Sequence, residues 1–175
     1  MAKTILTSFQ QKFLDLLATD PYITRRFYFT GGTVLAEFYL HHRLSEDFDL
    51  FSEQEVYLPS VEAFLTKNAS KLGIDTKEHR PFMGLHSFIL RLKDGSKFKI
   101  DFNYYPHPRI NLGKKYKKLN IDSLYDIAVN KVHTLFMNPR TRDYIDLYFI
   151  FKETDFTWER LISDAKAKFD WHIDP

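Results

Sequence analysis

Asp47 and Asp49 flank a phenylalanine in Asp47-Phe48-Asp49-Leu50-Phe51, an alternation that reads as a strand. Residues two apart on a strand share a face, with Cα atoms about 6.5 Å apart. The two carboxylates therefore stand side by side while Phe48 and Leu50 turn to the core. Like charges at that range need a cation or protons. Mg²⁺ is the natural partner, because it takes hard oxygen ligands and is held by one or two carboxylates plus substrate phosphates. Asp101 offers a third carboxylate. Over 97–104 the even positions are apolar and the odd ones polar, so Asp101 leaves the core face of a strand that can lie beside the first. There it can orient or deprotonate an attacking hydroxyl, or complete a metal site. Its plainer reading is an exposed charge paired with Lys97 or Lys99.

Gly31-Gly32-Thr33 lies between an expected strand and helix. Two glycines permit positive φ and close approach of a ligand, and the N–H groups of a following helix favour phosphate. A tight turn with a threonine cap explains the same residues. A second polar cluster comprises Asp126, Lys131 and the run Arg140-Thr141-Arg142-Asp143-Tyr144-Ile145-Asp146. Lys131, beside an apolar helix stripe, can reach a triphosphate or snorkel to solvent. Arg142 and Asp146 are four apart and fit a surface helix pair; Asp126 fits a helix start. His41, His42 and His133 lack metal-ligand spacing and read as scattered polar residues.

These residues need a scaffold. A one-sided helix fits 8–17, with Ser8 as its cap, and Asp20-Pro21 marks its end. A strand over 27–30 precedes the glycines, and a short, mostly buried helix follows over 33–40. A helix over 59–72 has Pro59 near its start and Gly73 just past its end. Two alternating runs, 85–92 and 98–104, enclose Asp94-Gly95 and predict an antiparallel hairpin. Pro106 and Pro108 open an irregular basic loop. Helices follow over 123–137, with Ser123 and Asp126 spaced as a capping box, then 143–152 and 157–169. This order predicts an α+β domain with a mixed or antiparallel sheet flanked by helices and a helical C-terminal part. A single domain spans 1–175, with the sheet core over about 1–120 and the helical part over about 121–175. The ending, 170–175, has no helix stop and suggests a trimmed chain.

Composition narrows the function. With 175 residues, 44% hydrophobic and 17% aromatic, the chain has ample core material, which excludes disorder as the default state. Its apolar runs are far shorter than the roughly 20 residues of a membrane span, and its start does not resemble a secretory signal. Lack of cysteine removes thiolate zinc sites and cysteine nucleophiles. A cytoplasmic protein is expected. The net charge of +2 conceals an uneven distribution: from Arg91 to Asn120, nine basic residues face only Asp94 and Asp101. Such a local excess attracts nucleic acid or nucleotides, or is simply a solvated surface.

Gly31-Gly32-Thr33, then Ser45-Glu46-Asp47-Phe48-Asp49-Leu50-Phe51, then Asp126 to Lys131, then Arg140 to Asp146 resemble, in order, the motifs of the AbiEii-type nucleotidyltransferase toxins, within the superfamily built on the polymerase-β core. The resemblance runs from about Phe27 to Phe151. It implies a nucleotidyltransferase fold and Mg²⁺-dependent transfer of a nucleoside monophosphate from an NTP to an acceptor hydroxyl. It implies Asp47 and Asp49 as metal holders and Gly32 and Thr33 at the triphosphate; Asp101, from its strand position, is expected to join the metal site, and Gly31 and Ser45 the nucleotide site. Asp126 and Lys131 match the family's Asp-x4-Lys pattern. Arg140, Asp143 and Asp146 match Arg-x-Lys-Asp-x-x-Asp, with Arg142 where that pattern has lysine. Lys131 and Asp143 are the residues it implies are needed for activity. Family acceptors include the 3′ end of tRNA, and members act as toxins with a cognate antitoxin. Gly-Gly-Thr stands where the superfamily usually has Gly-Ser, and much of the helical C-terminal region of longer members is missing. A different reading is a non-catalytic nucleotide- or RNA-binding module of the same fold. A third is an interaction subunit using Tyr104, Tyr105 and Tyr116.

Overall fold

The computed structural model describes residues 4–171; the ending over 172–175 lies outside the described residues. Helix α1 (Ser8–Leu17) begins one residue earlier than its expected cap implies. Thr7 is the N-cap, in a capping box with Gln10, and Ser8 is the first helical residue. Threonine wins because glutamine lies three residues after it and returns the second hydrogen bond. Asp20-Pro21 starts a second helix, α2 (Pro21–Arg26): the Asp20 carboxylate accepts from the Tyr22 and Ile23 N–H groups, and proline occupies the first turn.

Strand β1 (Tyr28–Thr30) leads directly into α3 (Gly31–Val34), so the glycines form the first helical turn rather than a break before it. The helix continues as a π-helical stretch, Leu35–Leu40, and ends on left-handed His41. Then come β2 (Phe48–Ser52) and α4 (Leu58–Leu72), which stops on left-handed Gly73. Strands β3 (Ile74–Phe82), β4 (Leu85–Leu92) and β5 (Lys97–Tyr104) form a meander. β3 carries mostly exposed polar residues, because it is an edge strand whose alternation no second face enforces. The basic loop contains a small hairpin of β6 (Lys115–Tyr116) and β7 (Leu119–Ile121). Helices α5 (Leu124–Met137), α6 (Thr141–Glu153) and α7 (Trp158–Phe169) complete the fold.

The seven strands form one mixed sheet in the order β3-β4-β5-β2-β1-β7-β6, with β2 parallel to β5 and β1 parallel to β7. One face is apolar. Phe29, Phe48, Phe88, Ile100 and Phe102 are fully buried there. The Phe13 ring of α1 packs on Phe48, on Phe98 and on Phe64 of α4. Truncating Phe48 to alanine would open a cavity beneath β2 and cost about 3–5 kcal/mol. The other face carries Thr30, Asp49, Phe51 and Asp101, and the C-terminal helices stand over it across a cleft. No helix among the described residues is long and apolar enough to cross a membrane.

Candidate active site

The sheet side of the cleft follows from register. β2 lies between β1 and β5, and Asp49 is opposite both Thr30 and Asp101, so the two carboxylates occupy neighbouring strands on one face. The end of β2 is held by buried Thr33, whose hydroxyl lies 2.5 Å from the Asp47 carbonyl oxygen and 2.8 Å from Ser45 Oγ. Gly31, at φ +80°, presses its α-carbon against the Asp49 carboxylate, and a Cβ there would overlap it. A Cβ on Gly32 would overlap the Arg43 guanidinium. Both glycines therefore make room for charged neighbours of the site.

Asp101 accepts a hydrogen bond from Ser87 and pairs with Lys99 at 2.5 Å. The side-chain pairing with Lys99 and the position beside Asp49 coexist, but Asp101 is buried rather than exposed. The side-chain carboxylates of Asp47 and Asp49 have no hydrogen-bond or ion-pair partner among the described residues. Burial, reinforced by the nearby Asp101 charge, pushes the Asp49 carboxyl up to about 6.

The helix side is built differently. Lys131 Nζ of α5 lies 2.5 Å from Asp143 and 2.7 Å from Asp146, both on α6. Lys131 does not snorkel; it is buried. Asp146 does not pair with Arg142. It receives a two-pronged contact from Arg43, with Nε at 2.7 Å and Nη2 at 2.9 Å, and a hydrogen bond from His42 Nε2 at 2.8 Å. The carboxylate can only accept, so His42 Nε2 carries the proton. The π-helix and the left-handed turn at His41 deliver His42 and Arg43 to this point. Asp143 also accepts from the Arg140 backbone N–H at 2.9 Å. Burial opposes ionisation of both aspartates, but Lys131 and the Arg140 N–H hold Asp143 below the usual carboxylate range, and His42, Arg43 and Lys131 do so for Asp146.

Between the two sides are adjoining cavities. The first, about 290 Å³, has Thr30, Gly31 and Asp49 on the sheet and an aromatic wall that includes Tyr105, His133 and Phe169. His133 and Phe169 stack with centroids 3.9 Å apart. The second, about 210 Å³, is charged: Ser45, Asp47, Asp101, Lys99, Arg43 and Arg142 face it. Gly32, Asp49, Lys131 and Arg140 belong to both. Thr33, Asp126 and Asp146 line neither.

Asp126 is a buried staple, not merely a helix start. Its oxygens accept from the Ile110 and Asn111 N–H groups at 2.8 Å, from the Ser123 hydroxyl and from Lys168 Nζ at 2.9 Å. The expected capping box is therefore half formed: Ser123 caps α5, but Asp126 turns to the loop and α7. Although burial opposes it, these donors hold Asp126 below the usual range. Sequence reasoning missed Arg43, Lys168 and Ser87, and it read His42, which meets Asp146, as a scattered polar residue. Arg43 and Asp146 are 103 residues apart, and no local spacing announces such a pair.

The donor set suits Mg²⁺. Asp47 and Asp49 carry unpartnered carboxylates on one cavity. Among the described residues no three acidic or histidine side chains already converge on a single point. Mg²⁺ is commonly held by one or two carboxylates together with substrate phosphates.

A sequence profile described as nucleotidyl transferase AbiEii toxin, type IV TA system, matches residues 15–175. No curated protein matches the chain. Among solved structures, JHP933 from Helicobacter pylori is similar over 92% of this chain and 75% of its own, with 18% identity and a TM-score of 0.64. The Megavirus polyadenylate synthase is similar over 82% of this chain and 32% of its own, at 14% identity and a TM-score of 0.53. An antigenic nucleotidyltransferase-like protein from Paracoccidioides brasiliensis is similar over 94% and 88%, at 16% identity and 0.50. At these identities the structural likeness speaks to the fold alone, which is that of nucleotidyltransferases.

Proposed function

This chain belongs to the AbiEii family of nucleotidyl transferase toxins, and from that premise we propose that it transfers a nucleoside monophosphate from an NTP to an RNA hydroxyl, with the 3′ end of tRNA as the acceptor. The observation that carries the reading is the pairing of bare Asp47 and Asp49 with a cation-rich wall across one cleft. The aromatic cavity takes the nucleoside, and the charged one takes the phosphates and the incoming strand. Asp47 and Asp49 would hold Mg²⁺, which when bound supplies charge to the reacting oxygens, and Asp101, already held by Ser87 and Lys99, would stand beside them.

In this reading the acceptor oxygen forms a bond to the α-phosphorus as the bond to pyrophosphate breaks. The hydroxyl proton passes to Asp101, which Ser87 and Lys99 orient. Arg140 and Arg142 face the departing pyrophosphate. Lys131 keeps one edge to the cavity, and Asp143 and Asp146 fix its position. Gly31 and Gly32 leave room for the Asp49 carboxylate and the Arg43 guanidinium at the edge of the phosphate cavity. Thr33 and Ser45 hold the Asp47 end of β2. Transfer onto tRNA would stop translation, which fits a toxin restrained by a cognate antitoxin.

The test is incubation with labelled NTPs, Mg²⁺ and total tRNA. The wild type is expected to label RNA, and an Asp47→Asn, Asp49→Asn double variant to leave it unlabelled. Equal labelling by both would overturn the proposal. NTP binding by calorimetry without any product would assign the chain to the non-catalytic reading.

A further inference from the structure

Away from the reaction centre, a cleft of about 110 Å³ opens where α2 ends and β1 begins. Arg25 and Arg26 come from the last turn of α2, and Arg109 comes from the distant basic loop. Arg25 and Arg26 have no acidic partner among the described residues; the only acid on the cleft is Glu53, 3.3 Å from Arg109. The Arg109 guanidinium lies over the Tyr28 ring, 4.4 Å from its centroid. Tyr28 is 2% exposed, lines the same cleft, and its hydroxyl is buried without a hydrogen-bond partner. Burial pushes that phenol well above its usual range, so it remains a donor.

Two arginines at a helix C-terminus offset its dipole. That role needs no third arginine from a remote segment, stacked on a buried ring. Guanidinium forks with no acidic partner of their own match phosphate oxygens. The surroundings favour a phosphate on a polymer. Asn120, on the cleft wall, pairs with Lys115 across the β6–β7 hairpin, and Lys115 and Lys118 are exposed there. Register places Tyr28 two residues from Thr30 along β1, about 6.5 Å farther from the glycine turn.

We propose that the Arg25–Arg26–Arg109 cleft, with Tyr28 at its base, binds a backbone phosphate of the RNA acceptor, outside the centre where transfer occurs. The inference rests on the reading that the acceptor is RNA. It identifies a positioning site for the strand and explains part of the basic surplus between Arg91 and Asn120.

The experiment is fluorescence anisotropy of a labelled single-stranded RNA with the full chain over a salt series, without NTP. An Arg25→Ala, Arg26→Ala variant is expected to bind about tenfold more weakly and to lower the log–log salt slope by about 0.7 per lost contact. Glu53→Gln removes the opposing charge and is expected to tighten binding severalfold. Amide shifts of Tyr28 and Asn120 on adding RNA would place the strand at the cleft. Wild-type affinity and slope in both variants would overturn the proposal while leaving the transfer reading intact. No RNA binding by the wild type would instead remove the RNA reading and this inference with it. Shifts with inorganic phosphate but not with RNA would assign the cleft to a free phosphate and overturn the proposal as stated.

Discussion

On the sheet side of the cleft, the Asp47 and Asp49 carboxylates have no partner among the described residues, and burial beside Asp101 pushes Asp49 up to about 6. On the helix side, two buried aspartates meet Lys131, Arg43 and His42 at hydrogen-bond distances. A neutralised cluster can hold its shape alone. An unneutralised one is stable only with protons or with charge brought from outside. The sheet side is therefore arranged to receive something, and the helix side to present Lys131 in one place. Their separation matters: closing the acidic set internally would remove its call on a cation.

The largest expected effects separate the two sides. Asp49→Asn should lower transfer by about 10⁴-fold, on the order of 5.5 kcal/mol in the barrier, while raising the melting temperature of the metal-free protein. Lys131→Met should lower both. It leaves Asp143 and Asp146 short of a counter-charge in a buried site, at a cost of about 3–5 kcal/mol. Activity assays and thermal melts on the two variants make the check. If Asp49→Asn melted as early as Lys131→Met, the contrast between an open and a closed cluster would be wrong.

Much of this was legible in the sequence, and the limits have physical causes. The alternation in 97–104 and the Asp94-Gly95 turn encode their hairpin locally, so it forms where expected. Asp49 and Asp101 share a cavity because strand periodicity is a two-residue rule, and Asp47, just before β2, is brought to the same cavity with Thr33 holding its carbonyl. Asp126 and Asp146 were singled out by spacing, but spacing does not say which way a helical carboxylate faces. Asp126 turns to a loop and α7, and Asp146 to a segment a hundred residues earlier. Arg43 went unnoticed because its value comes from the π-helical turn before it, which has no sequence signature. Helix α2 was hidden by its own Asp-Pro start, which reads equally well as the end of α1.

A smaller effect tests the same contrast through pH. The folded Asp49 carboxyl near 6 lies above its ordinary value of 3.8. Between those values the folded protein binds more protons than the unfolded chain, so metal-free stability should fall as pH rises from ~4 to ~6, by about 2–3 kcal/mol. Asp122, also buried and raised to about 6, adds to the same window. The Asp49 share is therefore the difference between wild type and Asp49→Asn in denaturant midpoints across the series. Asp143 and Asp146 carry the opposite sign: held below the ordinary value, they contribute stability above ~4 that is lost as pH falls beneath it. Identical pH profiles for wild type and Asp49→Asn would show that the sheet side is not electrostatically open.

Arg142 supplies the smallest and most discriminating effect, because it belongs to the helix side by sequence and to the charged cavity by position. Unlike Arg43, it has no ion-pair partner among the described residues, so it contributes little to the fold. Arg142→Ala should leave stability within about 0.5 kcal/mol. A partly exposed guanidinium meeting a phosphate is worth about 1 kcal/mol, so KM for the NTP should rise severalfold with kcat nearly unchanged. Arg142→Lys should restore most of the loss, since a point charge serves the same purpose at a site without a fixed fork. A fall in kcat with KM unchanged would mean that Arg142 acts on charge developed during transfer, and that the helix side does more than hold Lys131 in place.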